Sequence, residues 1–118
     1  MASEFEGNRE DFLNILTTNP GVLIFKFTAD WCKPCQIIKE DLQNYFQQIT
    51  SNKIKCYEVD VDENFDLYAY MKTKKMIKGI PMLMAFKKGN TEYYPDNSIS
   101  GTDLNEIKIF FDSAKKMI

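Results

Sequence analysis

Val22-Leu23-Ile24-Phe25-Lys26-Phe27 is a nearly continuous apolar run of branched and aromatic side chains, set off from what precedes it by Asn19-Pro20-Gly21. So short and apolar a run predicts a strand buried on both faces, as in a parallel sheet, because a sheet with one wetted face alternates apolar with polar residues. Lys26 is its one charge. Such a strand needs helices above and below it, and the flanking segments supply them. Phe12, Leu13, Ile15 and Leu16 predict a helix over 8–18. Ile38, Leu42, Tyr45, Phe46 and Ile49 predict a second over 34–49, with Pro34 in its first turn, where the missing N–H is harmless. Residues 53–61 predict another strand. Residues 64–76 predict a helix with Phe65, Tyr68 and Met71 inward and Lys72, Lys74 and Lys75 outward. Met82–Lys87 and Thr91–Tyr94, around Lys88-Gly89-Asn90, predict an antiparallel hairpin. A last helix over 103–117 carries Leu104, Ile107, Phe110, Phe111 and Ala114 on one side, and a short strand is expected near Phe5. Alternating strands and helices with a terminal hairpin predict an α/β fold with a mixed central sheet, one domain over residues 1–118.

Composition narrows the function. Hydrophobic residues at 44% and charged residues at 27% of 118 exclude a disordered chain. No apolar run approaches the roughly 20 residues that span a bilayer, so no membrane partner is expected. A net charge of −2 lacks the basic signature of a nucleic-acid binder. The chain has no histidine, which removes the commonest metal ligand and the commonest general base near neutral pH. Its three cysteines, Cys32, Cys35 and Cys56, are too few and odd in number for a secreted disulfide framework. The start shows neither the basic nor the apolar region of a signal peptide, so a reducing, cytoplasmic location is expected.

One motif carries chemistry. Trp31-Cys32-Lys33-Pro34-Cys35 follows the buried strand and opens a helix. Backbone N–H groups and the helix dipole at a helix start stabilise an anion. Cys32, expected to be exposed there, should therefore have a lowered pKa, with Lys33 as a positive neighbour. Cys35 lies one helical turn on and can attack a mixed disulfide formed by Cys32, making Cys32 the nucleophile and Cys35 the resolver. The alternatives are two packing cysteines or half of a metal site. A zinc site needs four N or S ligands, and three cysteines without histidine do not provide them, so no metal is expected.

These residues resemble the thioredoxin family. The resemblance rests on Phe25-Lys26-Phe27-Thr28-Ala29-Asp30-Trp31-Cys32-Lys33-Pro34-Cys35, then Val59-Asp60-Val61-Asp62, then Lys78-Gly79-Ile80-Pro81, then Phe86-Lys87-Lys88-Gly89, in the family's order. It implies the thioredoxin fold, with helices on both faces of the mixed sheet. It also implies that Pro81, preceded by Ile80, is a cis-proline facing the cysteines beside the surface where substrates dock. Trp31, Lys33 and Pro34 would belong to that surface, with Trp31 shielding the cysteines; a packing role is the alternative for Trp31, and an ordinary strand-start proline for Pro81.

The chain departs from the family's pattern in four places. Lys33 stands where familiar members have glycine, which keeps the site cationic. The segment between Asp62 and Pro81 looks about one helical turn longer and carries Lys72, Lys74, Lys75 and Lys78. That cluster reads either as a positive rim near Pro81 that steers acidic partners or as a solvated helix face. Met82 stands where threonine is usual. Lys26 replaces the family's buried aspartate, and alignment puts Glu58 where many members have a lysine. Lys26 and Glu58 are therefore expected to form a charge-swapped pair on neighbouring strands beneath Cys35. Glu58 would take the resolving thiol's proton and Lys26 would stabilise the thiolate; the alternative is a snorkelling Lys26 and a solvated Glu58. Cys56 is expected to be a core residue, with a regulatory thiol as the alternative, and Tyr93-Tyr94-Pro95-Asp96 to end the hairpin, with a partner site as the alternative.

The resulting expectation is a thiol–disulfide oxidoreductase that reduces protein disulfides through a Cys32–Cys35 cycle. It would act as a monomer without a bound cofactor, recharged by a reductase of the thioredoxin-reductase type. A non-catalytic thioredoxin-like binding or scaffold subunit is the alternative, and a secretory oxidase or isomerase a more distant one.

Overall fold

In a computed structural model, described over residues 2–118, the buried run forms the middle of a five-stranded sheet ordered β1-β3-β2-β4-β5. The elements are β1 (Ser3–Glu4), α1 (Arg9–Thr17), β2 (Val22–Thr28), α2 (Lys33–Ile37), α3 (Lys39–Gln48), β3 (Ile54–Asp60), α4 (Phe65–Thr73), β4 (Met82–Lys87), β5 (Asn97–Ser100) and α5 (Leu104–Lys115). β1 and β2 pair with β3 in parallel, whereas β4 runs antiparallel to β2 and β5 antiparallel to β4. Every residue of β2 is buried, as a strand covered on both faces requires.

Alternation along β2 divides the core into two layers. Leu23, Phe25 and Phe27 join Phe12 and Leu16 of α1, Leu67 and Met71 of α4, and Met84 and Phe86 of β4. Val22 and Ile24 join Leu42 and Phe46 of α3, Leu83 and Ala85 of β4, and Ile107, Phe110 and Phe111 of α5. Phe12 anchors the first layer, with its ring centroid 4.7 Å from Phe25 and 5.6 Å from Phe86. Cys56, in β3, is buried in the second layer as expected.

Four expectations need correction. The single helix over 34–49 is two helices. The backbone leaves helical geometry at Ile38 (φ −99°, ψ 4°) while its side chain stays buried, so α2 follows the cysteine motif and α3 turns Leu42 and Phe46 onto the sheet.

The helix expected over 64–76 ends at Thr73, and Phe65, at its first position, points outward while Leu67 and Met71 face inward. Its end is a Schellman motif. Lys75 adopts φ +61°, its N–H donates to the Lys72 carbonyl (3.0 Å), and Met76 N–H donates to the Met71 carbonyl (2.9 Å). The sequence gives no warning, because a lysine holds the place where glycine is usual. Burial of Met76 and Ile77 holds the reversal closed.

Thr91–Tyr94 is not a strand; β4 pairs instead with Asn97–Ser100. Tyr93 stacks on Phe12 (6.0 Å), which takes it out of the sheet. The longer loop is closed by Asp96, whose carboxylate accepts from the Lys87 N–H (2.7 Å) and from the Asn90 side chain (3.0 Å). Finally, Leu104, at the first position of α5, is exposed, while Ile107, Phe110, Phe111 and Ala114 face inward.

Candidate active site

The cysteine motif sits where β2 hands over to α2. Cys32 is the N-cap of α2, in extended conformation, and Pro34 occupies the first turn. Cys35 N–H points at Cys32 Sγ, 3.2 Å away. A helix start thus aims an unpaired backbone donor at the first sulfur. Cys32 and Cys35 form a disulfide, with their Cα atoms 5.2 Å apart. Cys32 at the N-cap and Cys35 in the first turn of α2 are thereby brought within bonding reach of each other.

Cys32 was expected to be exposed, yet it is only 4% accessible. It lies under the loop that enters β4, and its Sγ is 3.7 Å from the Ile80 carbonyl oxygen. The Ile80–Pro81 peptide is cis, and Pro81 is buried while Ile80 is half-buried. Around this centre Lys33 and Pro34 are exposed. Trp31 is 65% accessible and is not a packing residue; its indole N–H donates to the Asp62 carboxylate at 2.9 Å. The tether holds an apolar ring at the mouth of the site. Asp62 belongs to the quoted motif, but its partnership with Trp31 went unread because the two are far apart in sequence.

Lys26 and Glu58 are register partners across β2 and β3, with Nζ 3.5 Å from Oε1. Their surroundings differ: the lysine side chain is 3% accessible and the glutamate 37%. Burial pulls the Lys26 pKa below its ordinary value, while the Glu58 charge pulls in the opposite direction. The pair opens onto a cleft of about 190 Å³ lined with Gln43, Phe46 and Gln47 of α3. Cys35, by contrast, packs in the core layer of α1 and α4. The two groups therefore meet as expected, but they lie against α3.

Sequence reasoning missed two buried polar residues that shape the frame. Asn64 donates to the Phe5 and Asp60 carbonyls (both 3.0 Å) and accepts from Gly7 N–H (3.0 Å), tying β1 to the turn that carries Asp62. Asn19 donates to the Phe86 carbonyl (2.8 Å) and accepts from Gly21 N–H (2.9 Å), fixing the entry to β2. An asparagine beside a turn was the only available signal.

Comparison with known proteins gives one consistent result. The thioredoxin family model matches residues 4–112. The chain is 32% identical to thioredoxin of Pseudomonas aeruginosa over 71% of this chain and 73% of that protein. It is 30% identical to thioredoxin 3 of Plasmodium falciparum over 80% of this chain, a match that spans about half (49%) of that protein. Its fold superposes on the structure of Trichomonas vaginalis thioredoxin with a TM-score of 0.74 at 27% identity, covering 95% of this chain and 96% of that one.

Proposed function

The chain belongs to the thioredoxin family and is a thiol–disulfide oxidoreductase, and we propose that it works as a reductase of disulfides in other proteins. The observation that carries this reading is the Cys35 N–H directed at Cys32 Sγ from the start of α2. In the reduced protein the same donor stabilises a Cys32 thiolate, which is the attacking species. The thiolate attacks one sulfur of a substrate disulfide. A bond forms between Cys32 and that sulfur, the substrate S–S bond breaks, and the other substrate sulfur leaves as a thiolate. Cys35 then loses its proton and attacks Cys32 Sγ. The Cys32–Cys35 disulfide forms and the second substrate thiolate departs. Two electrons pass to the substrate, and its two departing thiolates take their protons from solvent.

Lys26 and Glu58 pair against α3, in a different core layer from Cys35, so in this reading the Cys35 proton passes to water and the pair acts on the motif only through the strands that carry it. Both act as positioning groups. Trp31, Lys33, Pro34, Ile80 and Pro81 form the surface on which substrate docks. Regeneration needs a two-electron donor, which we assign to a separate flavin- and nicotinamide-dependent reductase, so the chain itself needs no bound cofactor. We place the protein in the cytoplasm as a monomeric single domain, where reduced Cys56 is stable. Among the described residues, no helix is long and apolar enough to cross a membrane.

Insulin reduction with dithiothreitol tests the reading. Catalytic amounts should accelerate precipitation of the insulin B chain. Cys32→Ser should abolish the effect, and Cys35→Ser should accumulate a mixed disulfide with the substrate. Wild-type turnover by Cys35→Ser would replace this mechanism with one that uses a single thiol.

A further inference from the structure

We propose that a cleft beside Pro81, walled by Lys75 and Lys78, docks an acidic stretch of the disulfide-bearing protein substrate. This rests on the reductase reading and adds the class of substrate. The four lysines between Asp62 and Pro81 are not equivalent. Lys72 Nζ lies 5.6 Å from the Tyr68 ring centre and Lys74 Nζ 5.9 Å from that of Tyr70, so both cations are spent on aromatic faces of their own helix. Lys75 and Lys78 instead line a cleft of about 270 Å³ with Met76, Met82, Tyr94 and Ser100. No carboxylate lines it, and among the described residues neither ammonium has an ion-pair partner. Asp96, on the neighbouring loop, is held by Lys87 N–H and Asn90. The volume suits one or two side chains and falls short of a cofactor pocket.

The cleft adjoins the cysteines. Met82 follows Pro81 directly and pairs with Ser100, and Gly101 N–H donates to the Pro81 carbonyl at 3.0 Å. The carbonyl that touches Cys32 Sγ belongs to Ile80, two residues before Met82, so at most about 7 Å of chain separates them. A polypeptide whose cysteine reaches Cys32 can therefore lay neighbouring side chains in the cleft.

Backbone conformation adds a second argument. Lys75 holds φ +61°, a conformation that glycine adopts freely and a lysine adopts at a cost of about 1 kcal/mol. A strained position that carries a cation at the rim of a cleft fits a functional role. The opposite flank of the site has the other sign. Glu4, Asp30, Glu58, Asp60 and Glu63 line a separate cleft of about 360 Å³ against one cation, Lys39, and Trp31 is tethered to Asp62. An acidic stretch is repelled there and attracted beside Pro81, so the two flanks together orient the bound chain.

Two disulfide-bridged peptides test the proposal, one with three glutamates beside the cysteine and one with three glutamines. At low salt the reduced protein should act on the glutamate peptide roughly three- to tenfold faster, a margin set by two exposed charge pairs. That ratio should fall to near one in Lys75→Gln/Lys78→Gln and persist in Lys72→Gln/Lys74→Gln. An equal ratio in the wild type, or equal loss in both double variants, would overturn it. A redox-independent arm separates this idea from the reductase reading. A cysteine-free glutamate-rich peptide, added to the oxidised protein at millimolar concentration, should shift the amide resonances of Met82, Ser98 and Ser100. Its glutamine counterpart should not. Shifts without turnover of either disulfide peptide would reject the reductase reading and keep the cleft; absence of shifts would reject the cleft.

Discussion

Lys26 and Glu58 face each other across the β2–β3 ladder with Nζ 3.5 Å from Oε1, yet the lysine is almost wholly buried and the glutamate is one-third accessible. The asymmetry decides which partner the fold depends on. Without Glu58, an ammonium is stranded in the interior. Without Lys26, a carboxylate remains that water can reach.

Glu58→Gln should therefore destabilise the protein by about 1–3 kcal/mol, below the range for fully buried pairs because Glu58 is partly hydrated. Lys26→Met should change stability by about 1 kcal/mol or less, since it fills the same space without a charge. The double variant should be more stable than Glu58→Gln alone. Denaturant titration of the four proteins checks this, and strict additivity would mean that the two charges do not interact.

The pH dependence follows from the depressed Lys26 pKa. The unfolded chain keeps the Lys26 proton up to its ordinary value of 10.5, and the folded chain releases it earlier. Between those two values the unfolded state binds more protons, so stability rises with pH across that window. Relative to Lys26→Met, the wild type should gain stability as pH climbs from the lowered pKa towards 10.5. Paired denaturation curves at pH 7, 9 and 10 measure the difference, and a flat difference would place the lysine in water.

Reduced protein treated briefly with iodoacetamide near neutral pH should be labelled first at Cys32 and last at Cys56. Burial pushes the Cys56 thiol to about 12. About a hundred-thousandth of it is then thiolate at pH 7. Peptide mass mapping reads the order, and early modification of Cys35 would reverse the assignment of nucleophile and resolver.

Lys75→Gly should stabilise the fold by about 0.5–1 kcal/mol, because glycine relieves the positive φ of the Schellman motif. It should also lower the preference for the glutamate peptide. Thermal unfolding and peptide kinetics together test whether the cation is kept at the expense of stability. Unchanged or reduced stability would remove the strain argument.

Local pattern was enough for much of the fold. The apolar run of β2, the helical stripes of α1 and α5, and the cysteine motif at a strand-to-helix junction were legible because each is a property of consecutive side chains. The facing of Lys26 and Glu58 was legible only through the family's pattern, since periodicity says nothing about which strands pair. What tertiary structure decided lies where a residue's fate depends on distant backbone. β5 is an edge strand of mostly polar residues, chosen by the free groups of β4 rather than by its own side chains. Tyr93 left the sheet because Phe12, far away in sequence, offered it a stacking face. Asn19 and Asn64 are buried because distant backbone groups satisfy their amides. Lys75 turned into a left-handed conformation because burying Met76 and Ile77 outweighed its local preference. That reversal also separated Lys75 and Lys78 from Lys72 and Lys74, a distinction that one run of lysines cannot express: which cation meets a ring and which meets a cleft is set by how the chain folds back on itself.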